Sequence, residues 1–186
     1  MALAFGDRAI HPFTVDDVLQ MQAAGILPED HRLELLHGVL TEKAVPSSQH
    51  RGLKWRLFEW LQGDGRRVFA EDGVAVPDRL SLPEPDIAVV PPGEYLHDYP
   101  ATAFLVIEVA LSSLRTDLRV KPPLYAATGV PDYWVVDVNA RRVIVHRDPT
   151  PEGYDTITTH GPTGTLQPLE VDVAPLDLST LFDGLR

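Results

Sequence analysis

Apolar positions along the chain switch between a helical period of about 3.6 and a strand period of about 2, and the switches mark out the elements. "TVDDVLQMQ" predicts a helix capped by Thr14, with Asp16 and Asp17 in its first turn and Gly25 as its stop. "RLELLHGVLTEKAV" predicts a hairpin turning at His37-Gly38, with apolar residues on both arms. "SSQHRGLKWRLFEWLQGDG" predicts a helix capped by Ser47 or Ser48, carrying the stripe Leu53, Leu57, Trp60 and Leu61, and ended by Gly63 to Gly65. "RRVFAEDGVAVP", "PEPDIAVV" and "AFLVIEV" predict three strands. "TDLRVKPPLYAATGVP" predicts a broken helix stopping at Gly129 and Pro131, and "DYWVVDVNARRVIVHR" a hairpin turning near Asn139-Ala140. "YDTITTH" and "LEVDV" read as further strands, and "LSTLF" as a short terminal helical turn.

Most of the 17 prolines fall between these elements, and no repeat, low-complexity tract or interdomain linker interrupts them. The pattern predicts an α+β fold, a strand-rich middle with helices on its faces, in one domain over residues 1–186. Composition agrees: 186 residues, 44% hydrophobic and 23% charged, suffice for one core. Charge narrows the partners. Lys plus Arg is 16 against 27 for Asp plus Glu, a net charge of -11, which counts against non-specific nucleic-acid binding unless a basic patch or bound cations intervene. The lack of cysteine excludes disulfides, thiolate zinc sites and a cysteine nucleophile, and fits a reducing cytoplasm. Asp7 and Arg8 interrupt the apolar start before a signal-peptide core is complete. No window approaches about 18 uninterrupted apolar residues, so the expectation is a cytoplasmic protein without a membrane span.

One residue breaks the apolar pattern in a telling place. Glu108 lies inside "LVIEVALSS", a run that reads as a strand buried on both faces, where an ionised carboxylate costs roughly several kcal/mol unless compensated. Alternation puts Asp86 with Ala88 and Val90, and Glu108 with Phe104 and Val106. Asp86 starts its strand and Glu108 nearly ends its own, so in antiparallel neighbours the two carboxylates converge. A divalent cation relieves their repulsion, and Mg²⁺ suits them because it prefers oxygen ligands and keeps waters for chemistry. The alternative is an acid that faces solvent or pairs with Arg115 or Arg119.

The ordered set "LELLHGVL", "PEPDIAVV", "LVIEVALSS", "TDLRVKPPLYAATGVPDYWVVD" and "RRVIVHR" resembles the Uma-two family of bacterial restriction-endonuclease-like proteins, within the PD-(D/E)XK nuclease superfamily. The likeness runs from about Leu33 to Arg147. It implies a central mixed β-sheet flanked by helices, a restriction-endonuclease-like core, and a Mg²⁺- or Mn²⁺-dependent site that hydrolyses DNA phosphodiesters, and it allows a homodimer. By that likeness Asp86 is the aspartate of the "PD" element, Glu108 is the acid of the next strand and Glu34 is an upstream acid completing the site. Glu34 reads alternatively as a solvated residue on a hairpin arm. The chain departs from the superfamily pattern at Ala110, where a lysine is expected two residues after the acid. The nearest substitute is Lys121 on the following helix. Pro122 and Pro123 make the helix either restart at Pro122 or kink there, so Lys121 reads alternatively as a surface cation.

The remaining features read more plainly. Asp117 is expected to cap or to pair with Arg115 or Arg119, and Tyr125 and Trp134 to pack the core. His31, His37 and His50 lack metal-ligand spacing; His50 reads as a neutral imidazole in a helix's first turn, or as a residue flanking the site. No G-x-S-x-G, G-x-x-x-x-G-K-[ST] or G-x-G-x-x-G occurs, which sets aside serine-hydrolase, P-loop and dinucleotide-binding readings. "HRGLKWR" with Arg66-Arg67 is the densest basic stretch, read as a solvated helix face in preference to a phosphate track. Two functions compete with the nuclease: a catalytically impaired interaction or nucleic-acid-binding module, and a metal-dependent hydrolase of small phosphodiesters.

Overall fold

A computed structural model describes residues 4–5, 8–27, 32–63 and 65–185; Asp7, His31 and Asp64 lie outside the described residues. In chain order the elements are β1 (Ala4–Phe5), β2 (Arg8–Ala9), α1 (Val15–Ala23), β3 (Leu33–Leu36), β4 (Val39–Glu42), α2 (Ser48–Leu61), β5 (Arg67–Phe69), β6 (Ile87–Val90), β7 (Leu105–Ala110), α3 (Leu114–Arg119), α4 (Lys121–Ala127), β8 (Asp132–Asp137), β9 (Arg142–Thr150), β10 (Gly153–His160), β11 (Thr165–Leu166), β12 (Leu176–Asp177) and α5 (Leu178–Leu181). The fold is α+β. Its centre is a six-stranded sheet in the order β10-β9-β8-β7-β6-β5. The β7–β8 pair is parallel and its other neighbouring pairs are antiparallel, so the sheet is mixed as expected.

The parallel pair dictates much of the layout. Parallel strands need a crossover, and here α3 and α4 supply it. They cover one face of the sheet, where Tyr125 packs with Val106, Tyr133 and Val135 and Leu118 lies against them. On the other face Leu53, Leu57 and Leu61 of α2 pack with Ile107, Val109, Trp134 and Val136. Trp60 stacks on Trp134 with ring centroids 6.0 Å apart. Strands covered on both sides read as continuous apolar runs, and β6, β7 and β8 are buried throughout. Glu108 alternates with Val106 and Ala110, so it belongs to the α3–α4 face.

Local chemistry sets the helix ends. Thr14 and Asp17 form a capping box on α1, and the Ser47 side chain accepts from the His50 amide at the start of α2. The helical segment after β7 breaks at Val120, which ends α3 and opens α4. Both prolines then fall in the first turn of α4, where amide hydrogens have no helical partner to lose. The helix therefore restarts at Lys121, one residue before the expected position.

Two strand expectations need correction. Of "RRVFAEDGVAVP" only Arg67–Phe69 pairs into the sheet; the rest runs irregularly, its Glu71 amide donating to the Pro85 carbonyl and its Val74 amide to the Pro83 carbonyl. "LEVDV" forms no strand, and the short β11–β12 pair brackets it instead. Those valines alternate but have no neighbouring strand to bond. The basic stretch on α2 is also spoken for. Arg56 donates to the carbonyls of Thr180, Leu181 and Asp183, Lys54 pairs with Glu71 at 2.6 Å, and Trp55 is exposed.

The β3–β4 hairpin sits outside the large sheet and is tied to it through neighbouring segments. His37 and Gly38 both have positive φ, as a type I′ turn requires. The His37 amide donates to Ser81 Oγ, the Gly38 amide to the Leu80 carbonyl, and Leu35 bridges to Leu82. A Cβ on Gly38 would collide with Pro12 while φ stays at 79°. Gly38→Ala is therefore expected to cost more than about 1 kcal/mol, read as a lowered urea midpoint with an unchanged slope.

Candidate active site

The β6–β7 register fixes the centre of the site. Ala88 faces Val106 and Ile87 faces Ile107, and one further step places Asp86 opposite Glu108. The Asp86 amide lies 3.4 Å from Glu108 Oε2, and Asp86 Oδ2 accepts from the Val109 amide at 2.8 Å. The two acids thus meet across neighbouring strands on one side of the sheet.

Three other segments close on this pair. Lys121 Nζ lies 2.9 Å from Glu108 Oε1, 3.0 Å from Glu34 Oε2 and 3.8 Å from Asp117 Oδ1. The break before α4 makes this reach possible: Lys121 is its first residue and is buried, not a surface cation. Tyr125, one turn further on, donates its hydroxyl to the same Glu108 Oε1 at 2.9 Å. It packs the core as expected and orients the glutamate as well. Glu34 is buried on β3, so the solvated hairpin-arm alternative fails. His50, on the first turn of α2, places Nε2 3.1 Å from Asp86 Oδ2, while its buried Nδ1 has no partner among the described residues.

Asp117 departs from expectation. It pairs with neither Arg115 nor Arg119. Its carboxylate is buried, accepts from Ser113 Oγ at 2.5 Å through Oδ2, and leaves Oδ1 without a hydrogen bond. Position i−4 to Lys121 turns it inward, toward the one cation that several acids share. Spacing on a broken helix hid that geometry. The Glu108 alternative of an arginine partner is likewise replaced by Lys121. Ala110, at the end of β7, is fully buried.

Glu34, His50, Asp86, Glu108, Asp117 and Lys121 line a cleft of about 510 Å³. Its charge balance governs its chemistry. Burial, with Asp117, Asp86 and Glu34 nearby, pushes the Glu108 carboxyl up to about 8 despite Lys121. Burial likewise lifts Asp117 to about 6. Lys121 is desolvated too, but the surrounding carboxylates outweigh that and keep it charged. Burial opposes ionisation of Asp86, yet the His50 and Val109 hydrogen bonds hold its carboxyl below the usual range. Three carboxylates share the Lys121 ammonium, and of these Glu108 and Asp117 ionise reluctantly without further positive charge.

A hard divalent cation fits this donor set. Asp86 Oδ1 takes no hydrogen bond among the described residues, and Glu108 Oε2 has only the long contact to the Asp86 amide. Among the described residues, no group of three or more His, Asp or Glu side chains is placed to hold a metal ion together. Mg²⁺ needs no such cage, since it commonly binds one or two carboxylates and completes its shell with water or phosphate.

A family profile described as "Putative restriction endonuclease", named Uma2, matches residues 15–179. The chain belongs to the Uma2 family. The matched span includes every acid of the cleft, together with His50 and Lys121. Among solved structures, the Uma2 chain is similar to one described as "a putative nuclease belonging to DUF820" from Anabaena variabilis. The TM-score is 0.75 at 19% identity, covering 94% of this chain and 100% of the other, and at that identity the likeness speaks for the fold. No curated protein matches the chain. Among the described residues no helix is long and apolar enough to cross a membrane.

The raised carboxyl makes stability pH-dependent with a definite sign. A carboxyl whose folded pKa exceeds its unfolded one favours the protonated fold, so that stability is lost as pH rises toward about 8. His146, lowered by burial, acts in the opposite sense, but only below its ordinary range near 6.5. With divalent ions chelated, the melting temperature is therefore expected to fall between about pH 6.5 and about pH 8. Glu108→Gln should flatten that fall, and a scanning-calorimetry pH series on both proteins checks it.

Proposed function

We propose that this protein is a divalent-metal-dependent nuclease that hydrolyses DNA phosphodiester bonds, with Asp86 and Glu108 holding Mg²⁺ or Mn²⁺. The observation that carries the reading is the direct cross-strand opposition of Asp86 and Glu108 in an acid-rich cleft. When bound, the ion would lower the pKa of a water and neutralise the phosphate.

The chain's own residues supply the rest. His50 and the Val109 amide fix one oxygen of Asp86 and leave the other without a hydrogen bond among the described residues. Lys121 and Tyr125 fix one oxygen of Glu108 in the same way. Both carboxylates are thus oriented before any ligand arrives, which removes an entropic cost from binding. Lys121 takes the electrostatic part that a lysine at position 110 would play, with its ammonium at the cleft where charge builds on the phosphate. Glu34 and Asp117 position that ammonium. A 20.6-kDa acidic protein gains little from diffuse attraction to nucleic acid, so bound cations must offset repulsion at the cleft.

One observation favours the second reading, a catalytically impaired nucleic-acid-binding or interaction module. The Lys121 ammonium already occupies Glu108 and Glu34, and an ion must compete with it for oxygen donors. Metal titration separates the two. The nuclease reading expects Mn²⁺ binding by calorimetry at millimolar metal, and cleavage that vanishes on chelation. It expects Asp86→Ala and Glu108→Ala each to lower the cleavage rate by about a hundredfold or more. Cleavage that persists in both variants would reject the site, and the absence of any metal binding would favour the module.

A second expectation concerns Lys121. Lys121→Met should lower the cleavage rate by roughly 10²–10³, as loss of one preorganised electrostatic group does elsewhere. It should also destabilise the metal-free fold, because removing one partner of a buried ion pair costs about 3–5 kcal/mol. Single-turnover cleavage and urea denaturation read the two effects separately.

A further inference from the structure

The cations beside the cleft differ in how free they are. Arg32 donates to the Ala44 carbonyl, Lys43 pairs with Glu84 at 2.8 Å, and Lys121 is held by the site acids. Those three are the cations on the cleft wall, where carboxylates outnumber them. A polyanion entering the cleft finds little positive charge there that is not already engaged. Arg115 and Arg119 are different. Both are exposed on α3 and neither makes a hydrogen bond or ion pair among the described residues.

Their place on α3 connects them to the site. The two are four residues apart, so they are neighbours on one face of the helix. Thr116 and Val120 line the cleft and also line a shallow groove together with Arg115 and Arg119. One wall therefore leads from Asp117 and Lys121, past Thr116 and Val120, to two unengaged guanidinium groups. Asp117 points inward on the same short helix, so the arginines stand around its circumference, on the rim and not in the acidic interior.

We propose that Arg115 and Arg119 form a phosphate-binding subsite that grips the nucleic-acid backbone next to the scissile bond. The assignment rests on the nuclease reading and extends it. Guanidinium suits the task because it stays charged and offers paired donors to phosphate oxygens. It also resolves the charge difficulty. The acidic interior receives the scissile phosphate with a divalent ion, and the flanking phosphates of the same strand lie on the arginine rim. Such contacts position a backbone without reading its sequence.

Salt dependence of binding tests this directly. A labelled DNA duplex and its single strand are titrated by fluorescence anisotropy, with Ca²⁺ replacing Mg²⁺ to suppress cleavage. Arg115→Gln and Arg119→Gln are each expected to weaken binding by roughly tenfold at low salt and to reduce the logarithmic salt slope by about one. The double variant should lose about two. Arg67→Gln is the control, since Arg67 is an exposed cation opposite Val90, at the far end of β6 from Asp86. It makes the same change in net charge and should leave the slope unchanged. An unchanged slope in the double variant, or an equal loss in Arg67→Gln, would overturn the subsite while leaving the nuclease reading in place. A wild-type protein that binds neither DNA form would take the nuclease reading down, and the subsite with it.

Discussion

Lys121 is the charge on which the cleft depends. Its ammonium is within 4 Å of carboxylates from β7 and α3 and from β3, which lies far from them in the chain. A buried ammonium is tolerated because the acids surround it, and the acids are tolerated because it is there. Neither side of that arrangement is stable alone. The hairpin carrying Glu34 needs no place in the large sheet, because this contact and the bonds from His37 and Gly38 tie it to α4 and to the segment around Leu80 and Ser81.

Most of the architecture was legible because its signals are local. The Thr14 cap, the His37-Gly38 turn, the leucine stripe of α2 and the apolar runs of β6 to β8 each fix their element within a few residues. The failures share a cause. "RRVFAEDGVAVP" and "LEVDV" have strand-like composition, but a strand exists only when a partner edge is available. The short β11–β12 pair has too few residues to show a period at all. Pairing is a tertiary fact, and alternation alone does not contain it.

The site was partly legible for a related reason. Asp86 and Glu108 could be matched because strand alternation and an antiparallel pair suffice to bring start against end. Glu34, His50 and Asp117 come from other elements, so no spacing in the sequence brings them to the same point. In sequence Asp117 reads as a cap or an arginine partner because helical neighbours are the simplest partners, whereas its helix turns it toward Lys121. The effect of the prolines was equally ambiguous. A proline pair can kink a helix or open a new one, and the choice made at Val120 decides whether Lys121 lies inside or outside.

The crossover between β7 and β8 has a consequence for assembly. The β8–β9 and β9–β10 hairpins involve neighbouring stretches and can zip early, whereas the β7–β8 pair must wait until the intervening loop of chain is closed. That loop is α3 and α4. Docking it against the sheet completes the parallel pairing and, in the same event, delivers the ammonium to the acids. The segment that covers Glu108 is therefore the one that carries its counter-charge. Burial of the acids and the arrival of their counter-charge are thus tied to the same stretch of chain.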